Sequence, residues 1–349
     1  MTRATTSDRT NSTGSNPADL GYSMPAEWAA HARCWMAWPT NKETFGGRLE
    51  EARRAYASVA QAIKRFEPVT MIANPNEARD AADLCGPDVE ILPMEIDDSW
   101  VRDSGPLFLT DGKGNIAATT FRFNAWGGKS EKFDHDAKIA ANIADRVGAR
   151  RFESPLVAEG GGIHVDGEGT ILTTEQCFPN PNRNPGWSRE EIERELCRAL
   201  GAKKVIWLPG DPDDEVTDGH VDGVACFVQP GVVLVEHNPD TSDRRHDILK
   251  ENAKALEGVT DAKGRELELV FIEEAYEAEA EGETFSKSYI NFYLANGAVV
   301  VPGFGVPGDE RVRETLQRLF PGRQVIQPLT KDVAVGGGGI HCITQQQPL

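Results

Sequence analysis

Apolar positions along the chain fall into two periodicities. Between Gly46 and Phe66, the residues Leu49, Ala52, Tyr56, Val59 and Ile63 share one helical face. His135 to Gly148 repeats the pattern through Ile139, Ile143 and Val147. Ser188 to Leu200 opens on the capping box Ser188-Arg189-Glu190-Glu191 and carries Ile192, Leu196 and Leu200. His246 to Leu256 and Asp309 to Phe320 complete five predicted helices, the last preceded by Pro307-Gly308. Short β-branched runs lie between them: 69–72, 89–92, 116–123, 170–173, 205–208, 232–235, 267–272, 298–301 and 325–326. The order is mixed α/β throughout, with no Gly-, Pro- or Ser-rich linker.

Five polar or Gly-rich segments accompany the strands. Gly160-Gly161-Gly162-Ile163-His164 returns as Gly337-Gly338-Gly339-Ile340-His341, and Gly219-His220-Val221-Asp222-Gly223 echoes His164-Val165-Asp166-Gly167. Trp100 to Pro106 and Asn291 to Gly297 are the remaining two. Pseudo-fivefold αβ units around a central site fit this spacing, and chance recurrence of Gly-rich turns competes with it.

The chain of 349 residues is 39% hydrophobic and 26% charged, a composition normal for a globular protein. Residues 1–22 are polar and predict a disordered tail, leaving 23–349 as one domain. No apolar run approaches the ~20 residues of a membrane span, and the N-terminus has no signal-peptide core. The six cysteines form no CxxC pair, so reduced thiols and a cytoplasmic location are expected. A net charge of −18 argues against a nucleic-acid partner and suits a cationic one, although many acidic proteins are charged only for solubility.

Chemistry concentrates in four places. Gly336 to Gly339 let the backbone approach a ligand closely and lead directly into His341-Cys342. A structural turn needs no terminal cysteine, so Cys342 is the candidate nucleophile; the other five read as small core residues. In Asp218 to Gly223, an extended backbone would point His220 and Asp222 to one side, a proton carrier beside an acceptor. A merely hydrogen-bonded turn histidine is the competing reading. Glu95 to Asp103 is dense in acid around Trp100, with Arg102 available to pair with one of those carboxylates. Glu159 precedes a glycine turn and is placed either to meet a histidine or to be a surface charge. His164-x-Asp166, His220-x-Asp222 and His341-Cys342 resemble metal-ligand pairs, but no HExxH, HxH or CxxC is present, and neither metal nor cofactor is expected.

The same segments, in order, resemble the agmatine deiminase family of guanidine-modifying enzymes. The matching text comprises Met24 to Trp28, Cys34 to Pro39, Asp97 to Pro106, Phe123 to Lys129, Glu159 to Thr170, Gly219 to Gly223, Asn291 to Tyr293 and the closing GGGGIHCITQQQP of Gly336 to Pro348. Bacterial-type peptidyl-arginine deiminases look similar and are the nearest rival. The resemblance implies a pseudo-fivefold αβ propeller of pentein type with a central site. It also implies agmatine as the small cationic guanidine substrate, N-carbamoylputrescine as product in polyamine metabolism, no membrane partner and a homodimer. Carried over by position, Cys342 is the nucleophile, His220 the general acid/base and Glu159 its paired carboxylate. Asp98 and Asp222 grip the guanidinium, with Asp97 the alternative to Asp98. Trp100 or Trp126 lines the substrate's apolar tail or packs in the core. Peptidyl-arginine or free-arginine deimination, a metal-dependent amidohydrolase and a non-catalytic binding module are the alternatives. The acidic stretch from Glu274 to Phe285 matches no role.

Overall fold

Each of the five long helices joins two parallel strands. Leu49–Ile63 links His31–Ala37 to Val69–Ala73, and Asp136–Arg146 links Ile116–Arg122 to Arg150–Val157. Arg189–Leu200 links Thr170–Thr174 to Lys204–Leu208, and Arg244–Leu256 links Val232–His237 to Glu268–Glu273. Gly308–Leu319 links Ala298–Val300 to Gln324–Ile326. A third, antiparallel strand completes each sheet in this computed structural model, which describes residues 16–282 and 284–349. Four units take that strand from just upstream: Leu107–Thr110, His164–Val165, Ala225–Gln229 and Tyr293–Ala295. The first unit takes it from the far end of the chain, Thr344–Pro348, and adds Glu90–Pro93 through the helix Ala78–Cys85.

The core lies between units, not within them. Successive residues of a strand point to opposite faces. Val233 and Val235 accordingly pack toward the third unit with Leu172 and Ile206, while Val232 and Leu234 pack toward the fifth with Leu294 and Val299. Trp35 and Ala37 meet the second unit at Phe108 and Ala118, whereas Cys34 and Met36 meet the fifth at Tyr293 and Val300. A fifth cluster joins units two and three through Leu107, Phe152, Ile171 and Val205. Five clusters therefore close a ring from first unit to last and back, the pseudo-fivefold αβ propeller. Central strands covered on both faces read as continuous apolar runs, which is why the sequence pattern finds Val69–Ala73, Thr170–Thr174, Val232–His237 and Ala298–Val300; His31–Ala37, also central, is not among the predicted strands.

The strand that seals the ring is polar. Thr344–Pro348 pairs with His31–Ala37, and Gln347 Oε1 accepts the indole N–H of fully buried Trp35 at 3.1 Å. The capping box at Ser188 forms as expected. Of the expected polar tail, residues 1–15 lie outside the described residues. Residues 16–22 are folded, with a 3₁₀ turn over Ala18–Leu20 and Tyr22 edge-on to Phe152 at 5.9 Å. No helix among the described residues is long and apolar enough to cross a membrane.

Gln347→Ala should leave the Trp35 indole donor unsatisfied and cost about 1–3 kcal/mol of stability in urea unfolding. An unchanged midpoint and slope would show that this contact does not help hold the ring closed.

Candidate active site

A tight turn or loop precedes the antiparallel strand of every unit, Gly336 to Ile343 serving the first. The turns are Val101–Ser104, Gly160–Gly162 and Val221–Gly223; the loop ending at Phe292 serves the fifth unit. The three turns touch in series at the centre of the ring, Gly160–Gly162 contacting both of the others. Side chains from sequence-distant segments are thereby delivered to one place.

Cys342 is buried. Its Sγ lies 3.4 Å from Asp222 Oδ2 and 3.2 Å from Asn291 Nδ2, and its backbone N–H donates to Asn291 Oδ1 at 3.1 Å. Asn291 thus clamps both the sulfur and the main chain of the same residue. Burial first, then the carboxylates of Asp222 and Asp103, push the Cys342 thiol well above its ordinary value. A Cβ on Gly338 would lie 3.1 Å from that sulfur and 2.6 Å from the Trp100 ring, so only glycine lets this loop pass. Trp100 stacks on Phe45 with centroids 6.0 Å apart and walls the cysteine side.

His220 sits between two carboxylates. Nε2 is 3.7 Å from Glu159 Oε2, and Nδ1 is 3.8 Å from Asp103 Oδ1. These are ion-pair distances too long for hydrogen bonds, and both ring nitrogens are buried without a hydrogen-bond partner. Burial opposes the charged ring, but Asp103, then Cys177 and Glu159, overcome it and hold His220 well above the ordinary histidine value. Glu159 is itself fixed by Arg183, whose Nε donates to Oε1 at 2.7 Å. Burial raises the Glu159 carboxyl, and His220 and Arg183 together bring it below its usual value. Arg183 also binds Asp218 Oδ2 at 2.5 Å and the Thr217 carbonyl at 3.0 Å, anchoring the loop that carries His220.

Asp222 accepts from His341 Nδ1 at 2.8 Å, and His341 Nε2 meets Glu27 Oε1 at 2.8 Å. A ring bound to a carboxylate oxygen on each side must donate from both nitrogens to satisfy both, which requires an imidazolium. Burial and then Arg102 oppose that charge; Glu27 and Asp222 outweigh them and raise His341. Burial raises Asp222, and His341 returns it below the usual carboxylate range.

Asp98 is buried against Thr44 Oγ1 at 2.7 Å, Asn41 Nδ2 at 3.2 Å and the Ser99 N–H at 2.8 Å, with its carboxyl raised by burial. Asp97 instead accepts from the His135 N–H at 2.7 Å at the start of Asp136–Arg146, a helix-capping task that separates the two neighbours. Trp126, in a left-handed turn with φ 54°, donates its indole N–H to Asp103 Oδ2 at 2.9 Å.

The structure brings Cys342 to Asp222 and His220 to Glu159 directly. It joins Trp126 to them through Asp103 and sets Trp100 beside the cysteine. Asp98 touches none of the other named side chains. The sequence pattern assigns no role to Asp103, Asn291, Glu27 or Arg183, and offers His341 only as half of a discounted metal-ligand pair with Cys342. Asp103 and Asn291 stand inside segments singled out for their composition, so position was the available signal; Arg183 had none. Two expectations need correcting. His220 and Asp222 sit at a 3₁₀ turn, not on an extended strand, because Asp218 and Gly219 are left-handed at φ 60° and 79°. Arg102 pairs with Glu27 and the His341 carbonyl, not with its acidic neighbours. His164 lies beside Glu27 while Asp166 caps its own turn, so that pair is not a ligand set. The stretch from Glu274 is partly structural: Glu274 binds Asn238 and Arg245, and Glu277 accepts from the Gly308 N–H.

A buried thiol facing carboxylates, with a protonatable histidine across a glycine turn, can attack a cationic carbon and relay protons to and from it. Comparison with known proteins agrees. The family model of Porphyromonas-type peptidyl-arginine deiminases matches residues 23–348. A Streptomyces avermitilis relative that bears the agmatine deiminase name provisionally is 49% identical over 343 residues, covering 96% of this chain and 99% of its own. The agmatine deiminase of Ectopseudomonas mendocina is 39% identical over 356 residues, covering 95% and 97%. A solved agmatine deiminase of Enterococcus faecalis superposes with a TM-score of 0.92 at 34% identity, covering 96% and 98%.

Removing the negative charge nearest the sulfur should lower the thiol's pKa. Asp222→Asn is expected to speed alkylation of Cys342 by iodoacetamide at pH 7 by on the order of tenfold. Peptide mass spectrometry reads the rate at that residue, and a slower or equal rate would refute the electrostatic assignment.

Proposed function

Because the chain belongs to the agmatine deiminase family, among the Porphyromonas-type peptidyl-arginine deiminases, we propose that it hydrolyses agmatine to N-carbamoylputrescine and ammonia. One observation carries the reading: a nucleophilic sulfur lies 3.4 Å from a buried carboxylate, in a centre whose negative charge a planar cation would neutralise.

The guanidinium keeps its charge at physiological pH, with a pKa above about 12. Asp222 and Asp98 accept its N–H groups and set the central carbon against Cys342. The arriving cation offsets the field that keeps the thiol protonated, so the Cys342 proton departs to solvent as substrate binds. The thiolate adds to the carbon. Protonated His220 gives its proton to one nitrogen, the C–N bond breaks and ammonia leaves, with an amidino-thioether remaining on Cys342. Water then adds to the same carbon and yields a proton to His220. The C–S bond breaks, the hydroxyl proton passes to the departing sulfur to restore the Cys342 thiol, and the carbonyl of the ureido product forms. Glu159 holds the imidazolium in place, and Arg183 keeps Glu159 ionised. Trp100 and Trp126 flank the path of the tetramethylene chain.

Agmatine fits better than arginine, which would bring a carboxylate into an acidic centre. The arginines that touch the site do not face it free: Arg102 is held by Glu27 and Arg183 by Glu159 and Asp218. Six free cysteines support a reducing compartment, the cytoplasm. A homodimer remains part of the reading and rests on resemblance alone.

Cys342→Ala should abolish ammonia release, a loss of at least ~10⁴-fold, while circular dichroism stays native. Retained activity would remove the reading. In assays of ammonia and ureido-group formation across agmatine, arginine and a blocked arginine peptide, agmatine should turn over fastest; preference for the peptide would favour peptidyl-arginine deimination. Chelators should not inhibit, and inactivation by them would favour a metal-dependent amidohydrolase.

A further inference from the structure

Glu159, Cys177 and His220 form a cluster that the proposed reaction uses only in part. Cys177 lies on the loop after Thr170–Thr174 and is fully buried, with its Sγ 3.8 Å from Glu159 Oε2. The same oxygen is 3.7 Å from His220 Nε2, and all three ligand atoms lie within 4.8 Å of one another. Arg183 occupies only the other oxygen, Oε1. His220, 5% exposed, has neither ring nitrogen hydrogen-bonded, so a buried donor set of sulfur, nitrogen and oxygen faces a common point with a free nitrogen aimed into it.

Zinc bonds of about 2.3 Å to sulfur and about 2.0–2.2 Å to nitrogen and oxygen place tetrahedral ligands roughly 3.4–3.6 Å apart. The observed 3.7 and 3.8 Å edges require shifts of only a few tenths of an ångström, and the third, from Cys177 to His220, lies within 4.8 Å and closes by about an ångström at most. The geometry points to a latent site for Zn²⁺ or a similar thiophilic divalent ion at Cys177, Glu159 and His220, with water as fourth ligand, through which the metal switches the enzyme off reversibly. Binding replaces the Cys177 S–H proton and takes neutral His220, so protons are released and affinity rises with pH. It leaves Cys342 free. The metal is thus an inhibitor that captures the acid/base, and the inhibition, though not the binding, rests on the role proposed for His220.

The test titrates the full chain, reduced and then freed of thiol reagent, with Zn²⁺ alone and follows ammonia release. A parallel titration with Co²⁺ follows the thiolate-to-cobalt absorption band. Zn²⁺ should abolish turnover and EDTA restore it. Cys177→Ser should keep basal activity and need at least ~10-fold more Zn²⁺; Cys177→Ala serves if the serine variant misfolds. The cobalt band should persist in Cys342→Ala and vanish without Cys177. Equal inhibition of the Cys177 variants, a band that follows Cys342, or neither inhibition nor band would overturn the site. A Cys177-dependent band without inhibition would uphold the site and count against the acid/base assignment of His220.

Discussion

Negative charge gathered away from water is the constraint on which the rest of the site depends. Asp98, Asp103, Glu159, Asp222 and Glu27 are all buried. Burying a carboxylate is costly unless a partner compensates it. Three partners are internal: Arg183 for Glu159, and His341 and Arg102 for the Asp222–Glu27 side. The compensation is incomplete. Asp98 and Asp103 have their carboxyls raised by burial, and the Cys342 thiol is raised by burial first and then by the charges around it. A guanidinium supplies what is missing and in doing so frees the nucleophile. The site is arranged so that its reactive state is completed by its substrate.

The ring explains how such a density of charge is tolerated. Each unit places its apolar side chains against its two neighbours, so five hydrophobic interfaces surround an axis left to turns. A turn preceding a strand must satisfy its own backbone groups and can present a polar side chain inward. Close packing then sets the residue types. A Cβ on Gly161 would stand 2.5 Å from His220 Nδ1 and 2.9 Å from Asp103 Oδ1, so glycine leaves the gap in which the proton carrier sits.

What was legible in the sequence follows from the same physics. Central strands such as Val232–His237 are buried on both faces and read as apolar runs, and all five crossover helices carry their stripe. Thr344–Pro348 was missed because it is polar and is held by pairing and by the Trp35–Gln347 bond. Arg150–Val157 was missed because charged side chains alternate along it, and Ala78–Cys85 because only Ala81 and Cys85 are buried. In the site, Cys342, His220, Glu159 and Asp222 stood out by motif. Arg183, which holds Glu159, did not, because it has no pattern of its own; Glu27 lies within the matching Met24 to Trp28, but nothing there marks its contact with His341. Cys177 reads as a core cysteine, which its burial bears out, while its contact with Glu159 has no sequence signal.

The central claim is that Cys342 becomes covalently joined to the carbon of a cationic guanidine held by these carboxylates. Mass spectrometry of acid-quenched protein during turnover of agmatine tests it most directly. The account predicts a peptide containing Cys342 that gains the mass of agmatine less ammonia, and no such gain elsewhere. Steady turnover with no adduct under conditions that trap thioethers, or an adduct on another residue such as Cys177, would contradict it.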